Sequence, residues 1–291
     1  MRSRRGVLGE GARIVWRRQR VLWWAFAVNL LLALLGTIPT AAALGKILDR
    51  SLASGALVDR FDVPTFAELA MSPARPFHVA SAALFPLLFF AFMLFFEGGV
   101  LTVYRADRKF TTAEFFEACG RFFWRFFRLL ILFLIAIVPV LIFNRVTKSW
   151  SDRLAVDSPN ALLGFWVQVV TTLIALLLLM AVRLWFDMAQ ARIVVEDERA
   201  VRKALWPALK LTLRRFPWLF GMYFEISLAA WAGLVASFWV WVKWVRPEWV
   251  GVTFLLTQGF LLFWLGTRFW QRASEIVWYL RHAAPPSNNI P

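Results

Sequence analysis

Six apolar runs constrain this chain more than any other feature. They cover about 21–45, 79–104, 123–143, 161–186, 217–242 and 250–271, each with few charges in its middle. A bilayer hydrocarbon core of about 30 Å needs roughly 20 apolar residues as a helix, and each run is long enough. The pattern predicts an all-α integral membrane protein with six transmembrane helices over 21–271, a basic tail over 1–20 and a second tail over 272–291. Composition agrees: the 291 residues are 60% hydrophobic, with 17 Trp and 29 Phe, too few polar groups to coat a soluble domain of this length.

Charge sets the expected orientation. Of the 33 Lys and Arg, 24 fall in the N-terminal tail, the second-to-third and fourth-to-fifth connections and the C-terminal end; the other 9 fall in the alternate connections. Short loops rich in Lys and Arg stay in the cytoplasm, so both termini are expected there, as an even number of spans requires. The formal charge of +15 then belongs to anionic lipid head groups at the cytoplasmic face, at about 1 kcal/mol per residue near the surface, rather than to nucleic acid. SRRGVLG (3–9) loosely resembles a twin-arginine export signal, but the apolar run starts too far downstream. TAAALG (40–45) holds an A-x-A pattern behind a stretch too long for a signal peptide, so the first span is expected to be retained. Trp23, Trp24, Trp124, Trp185, Trp218 and Trp270 fall at inner boundaries, and Trp150, Trp241, Trp244 and Trp249 at outer ones, as indoles at a head-group belt do.

Two cytoplasmic connections read as amphipathic helices on the membrane. TTAEFFEACGRFFWRFFR (111–128) opens with a Thr111-x-x-Glu114 capping box, and Phe115, Cys119, Phe122 and Phe126 follow helical spacing among arginines. EDERAVRKALWPALKLTLRRF (196–216) begins with acids, which suit a helix N-terminus, and Pro207 is expected to kink or split it. ARIVWRRQRVLWW, ACGRFFWRFFRLL and LKLTLRRFPWLF each precede an odd-numbered span, which suggests three helical hairpins, each with its own surface segment. The longest non-cytoplasmic connection, 46–78, is nearly charge-balanced and is expected to form short helices on the outer surface.

Ionisable groups inside apolar runs are costly and normally pair within the bundle or line a wet cavity. Glu97 in the second span, Arg183 and Asp187 at the inner end of the fourth, and Glu225 in the fifth make a candidate intramembrane polar cluster. Glu97, Glu225 and Arg183 are expected to approach one another. Gly98 and Gly99 are candidate helix-contact glycines, because small residues let helix backbones come close. No catalytic residues stand out: HExxH, GxSxG and P-loop motifs are all missing. Cys119 is the sole cysteine, and His78 and His282 fall on opposite predicted sides. No metal, no cofactor and no enzymatic activity are therefore expected.

EGGVLTVYRADRKFTTAEFFEACGRFFWRFFRLL (97–130) and DMAQARIVVEDERAVRKALWPALKLTLRRFPWLFG (187–221) resemble hallmark stretches of uncharacterised six-helix prokaryotic membrane proteins. These are related to the membrane domain of some glycerophosphodiester phosphodiesterases. In the first, Gly-Gly near a span end leads through a basic turn and a short amphipathic helix into the next span. In the second, a helix exits into a short apolar strand-like piece before an acidic turn. The resemblance implies the six-helix fold and the prokaryotic inner membrane. It carries no activity, because the phosphodiesterase's catalytic barrel has no counterpart here. The expected role is an accessory or scaffold subunit in an envelope or lipid-related process, with other membrane subunits as partners. The alternative is a small transporter or lipid-handling permease that uses the inner-leaflet carboxylates.

Overall fold

The computed structural model describes residues 4–48, 79–157, 161–246 and 249–283. Every regular element among them is helical: α1 (Arg4–Arg17), α2 (Gln19–Leu48), α3 (Val79–Ala106), α4 (Thr112–Asp157), α5 (Ala161–Val195), α6 (Val201–Trp244) and α7 (Val250–His282). Six of them, α2 to α7, are long and apolar enough to cross a membrane. Residues 49–78, with most of the expected outer-surface segment, lie outside the described residues.

The helices outrun the apolar runs. The basic tail is not irregular: α1 turns Val7, Leu8, Gly11 and Ile14 to one buried face. The two predicted amphipathic segments are the first turns of α4 and α6 and run on into their spans. At the start of α4 the capping box is reciprocal. The Thr111 amide donates to Glu114 Oε2 at 2.8 Å and the Glu114 amide donates to Thr111 Oγ1 at 3.2 Å. The strand-like piece implied after Asp187 is instead the last turns of α5, which stays helical to Val195. Its residues Met188, Ala189, Ala191, Ile193 and Val194 are buried, and burial against helices overrides the β preference of Val and Ile. The kink expected at Pro207 lies elsewhere. Within α6 only Arg215 leaves helical geometry (φ −116°, ψ 16°), two residues before Pro217, whose ring crowds the preceding turn.

The chain forms two units, Trp23–Phe96 on the one hand, and Met1–Leu22 with Glu97–Pro291 on the other. In the first, Gly36 of α2 lies against the ring of Phe85 of α3, where an added Cβ would come within 3.1 Å. The second unit has its densest core at the arginine-rich ends of its helices. Tyr104, Phe126, Leu184, Met188, Tyr223 and Trp278 are all under 2% exposed. The opposite stretches of α6 and α7 carry Val235, Phe238, Trp239, Val242, Val252 and Leu255 in the open. Apolar faces of this extent are poorly suited to water.

Two turns at the arginine-rich end share one device. After α3, Asp107 takes the left-handed conformation (φ 41°); after α5, Asp197 does the same (φ 51°). Asp is among the few non-glycine residues that tolerate this region. Each is held by two arginines from the helical segment that opens its own hairpin. Arg17 reaches Asp107 Oδ2 at 3.0 Å and Arg18 donates to the Asp107 carbonyl at 2.5 Å. Arg121 pairs with Asp197, and Arg125 donates to Asp197 Oδ1 at 2.7 Å. Slight burial pushes the Asp197 carboxyl up, but the hydrogen bond from Arg125 and the charge of Arg121 outweigh it and hold it below the usual carboxylate range. Arg105 links the two turns by donating to the Val194 carbonyl at 2.8 Å.

Candidate functional site

The buried polar centre of the larger unit is organised by α7. Residues 268, 271, 272 and 275 repeat at helical spacing, which puts Arg268, Gln271, Arg272 and Glu275 on one face. Arg272 is the hub. Its Nε lies 2.6 Å from Glu97 Oε1 of α3, in an ion pair without hydrogen-bond alignment. Its Nη1 donates to Asp187 Oδ1 of α5 at 2.7 Å and to Glu275 Oε2 at 3.0 Å. From α6, the Tyr223 hydroxyl donates to Asp187 Oδ2 at 2.8 Å and also meets Glu275 Oε1, which accepts from Gln271 Nε2 at 3.0 Å. Arg183 closes the edge. Its Nη2 donates to Gln271 Oε1 at 3.3 Å, and its Nε stands 3.7 Å from Asp187.

Glu275 is fully buried and Asp187 is 5% exposed. Ions this deep lose hydration worth several kcal/mol each, which only close opposite charges and hydrogen bonds offset. One guanidinium answering three carboxylates on three helices, with a phenol from a fourth, fixes the relative height and rotation of α3, α5, α6 and α7. The carboxylates' close partners here are side chains of the protein. Among the described residues no group of three or more His, Cys, Asp and Glu is placed to hold a metal ion.

The structure thus brings Glu97, Asp187 and Arg183 of the sequence-predicted set to one site and takes Glu225 elsewhere. Glu225 follows Tyr223 by two residues, a rotation of roughly 200° about the helix, so it faces away from the cluster. Its partner is Arg4 of α1, at 2.9 Å, in a pair whose side chains are 35% and 42% exposed. Gly98 and Gly99 lie against the opening turns of α4. A Cβ on Gly98 would stand 2.8 Å from Phe122 Cβ and 3.1 Å from the Ala118 carbonyl; on Gly99 it would stand 2.6 Å from Cys119 Sγ. Sequence reasoning missed Arg272, Glu275, Gln271 and Tyr223. Arg272 and Glu275 were missed because hydropathy ends the last span at 271, while the helix continues through RASEIVWYLRH with polar residues on one face, and Gln271 because it is the final residue of that run. That helical spacing was the signal that could have found them.

Tryptophans expected at the inner boundary also have partners. Trp185 Nε1 donates to the Leu205 carbonyl and Trp270 Nε1 to the Leu8 carbonyl, both at 2.8 Å. Trp218 packs on Trp278 with ring centroids 5.5 Å apart. By contrast Trp16, Trp124 and Trp206, one on each amphipathic segment, are more than 60% exposed. Comparison with known proteins gives no match among protein families, curated proteins or solved structures.

Proposed function

We propose that this chain is a six-span protein of a prokaryotic inner membrane, with both termini in the cytoplasm, serving as an accessory or scaffold subunit in an envelope or lipid-related process. The observation that carries the reading is the engagement of Glu97, Asp187 and Glu275 by Arg272 across three helices. A group set so fully occupied with its neighbours suits a lock that holds helices in register better than a site that must release a proton or a solute. The exposed indoles of Trp16, Trp124 and Trp206 lie beside Arg17, Arg125 and Lys210, a composition suited to the cytoplasmic head-group layer of anionic lipid. The open apolar faces of the spans then meet acyl chains or the helices of partner subunits.

Two measurements test this. Reporter domains fused to either terminus are expected to be active only in the cytoplasm; an extracytoplasmic signal from either overturns the orientation. Glu97→Gln is expected to lower the stability of the detergent-purified protein by about 3 kcal/mol, the low end for breaking a buried ion pair, because Arg272 keeps two other carboxylates. Glu225→Gln, which breaks a half-exposed pair, should cost at most about 1 kcal/mol. If Glu97→Gln melts like the wild type yet abolishes the protein's cellular role, the scaffold reading gives way to the permease.

A further inference from the structure

Arg268 stands out on the α7 face described above. It is exposed, and among the described residues it forms no ion pair and no hydrogen bond. The three carboxylates of the cluster are gathered by Arg272, one turn further along. Glu97, Asp187 and Glu275 pair with Arg272 and not with Arg268. Arg183 is itself 40% exposed on its side chain and reaches this face of α7 through Gln271. Two guanidiniums therefore flank the same face with donors to spare, and each carries five N–H groups in a planar fork. Such an arrangement is unfavourable on its own and becomes favourable when an anion sits between the forks. Phosphate is the anion whose geometry guanidinium matches best.

Position along the helices points the same way, and this step rests on the membrane reading proposed above. Arg268 lies 18 residues after Val250, at a rise of roughly 27 Å, and Arg183 lies 22 residues after Ala161, at roughly 33 Å. The two values bracket the hydrocarbon thickness of about 30 Å, so both residues stand at the edge of the hydrocarbon core, from which a long arginine side chain reaches out to lipid phosphates. Phe263 and Trp264, one turn nearer the bilayer centre, are exposed and offer an apolar surface to an acyl chain. We propose that Arg183 and Arg268 together bind a phosphate group, which in the membrane belongs to a phospholipid of the arginine-rich leaflet.

The test uses the full-length protein purified in mild detergent. Binding of phosphatidylglycerol is measured by native mass spectrometry, and binding of inorganic phosphate by calorimetric titration. The wild type is expected to retain phosphatidylglycerol, Arg268→Gln to bind it about tenfold more weakly, and the Arg183→Gln/Arg268→Gln pair about a hundredfold more weakly. Arg268→Lys, which keeps the charge, should recover part of the loss. Arg268 forms no ion pair and no hydrogen bond among the described residues, so its glutamine variant should still fold and purify as the wild type does. If inorganic phosphate binds instead of the lipid, and the same substitutions remove it, the phosphate site stands with a soluble source. If both ligands bind the wild type and the Arg268 variants equally, or neither binds the wild type, the site is refuted. Flotation with vesicles of phosphatidylcholine and phosphatidylglycerol separates the two levels. A wild type that fails to float refutes the membrane reading, whereas a floating protein with unchanged lipid binding in the variants refutes the site alone.

Discussion

Replacing Arg272 by glutamine is expected to destabilise the folded protein by about 3–5 kcal/mol, enough to deplete it from detergent extracts. The reason is electrostatic. Arg272 touches Glu97, Asp187 and Glu275 within 2.6–3.0 Å, and its side chain is only 19% exposed. Removing one partner of a buried ion pair leaves the other charge without water and without a counter-charge. Here three carboxylates lose their shared guanidinium at once, and Asp187 keeps the more distant Arg183, at 3.7 Å. The attribution can be checked in the same chain: adding Glu97→Gln, Asp187→Asn and Glu275→Gln to Arg272→Gln removes the stranded charges and should restore much of the loss. Thermal unfolding of purified protein reads the effect. A single Arg272→Gln variant within about 1 kcal/mol of the wild type would mean that the cluster is not what holds these helices together.

Gly11→Val is expected to detach α1 from the rest of its unit. Gly11 faces Ser274 of α7 so closely that an added Cβ would stand 2.9 Å from the Ser274 backbone nitrogen and 3.1 Å from its Cα. Backbone inside a helix cannot yield as a side-chain tip can, so α1 must move outward. Overpacking of this kind costs about 1–3 kcal/mol. The loss falls on one helix, held otherwise by Val7, Leu8 and Ile14, the Trp270 bond to the Leu8 carbonyl and the pairs Arg4–Glu225, Glu10–Arg281 and Arg17–Asp107. Limited trypsin cleavage at Arg13 and Arg17 should accelerate at least fivefold, while the cleavage rate in the remaining helices stays unchanged. Gly9→Val is the control, because an added Cβ there meets nothing within 4 Å. Equal cleavage of the two variants would refute the docking geometry of α1.

Both predictions rest on features that a linear reading sees unequally. The six apolar runs were legible because hydrophobic length along the chain maps directly onto helix length. The capping box at Thr111 and Glu114 was legible because both partners lie within one turn. Glu97, Asp187 and Arg183 were noticed because a charge inside an apolar run is conspicuous. Arg272 was not, since it follows the last apolar run and looks like the start of a tail. The choice of Tyr223 over Glu225 depends on which face of α6 is turned inward, and two residues' difference in position reverses the face. Rotation of that kind is fixed by packing against α5 and α7, which no single stretch encodes. The helical tail α1 was likewise hidden, because its four buried positions are short of a span and become meaningful only against α7.

The paired aspartate clasps bear on how such a chain is made. Arg17 and Asp107 are 90 residues apart, and Arg121 and Asp197 are 76 apart. Synthesis releases each of these partners well before the next hairpin is complete, so the first closure can be finished while the ribosome is still translating the second. The final hairpin has a different closing contact. The Trp270 bond to Leu8 joins positions 262 residues apart, so the buried face of α1, ahead of the Arg17 clasp, cannot seat on α7 until that last helix has been threaded. Truncated products that stop before α7 would then display an unburied, arginine-bearing amphipathic helix at their front end, a natural handle by which quality-control proteases could tell unfinished molecules from finished ones.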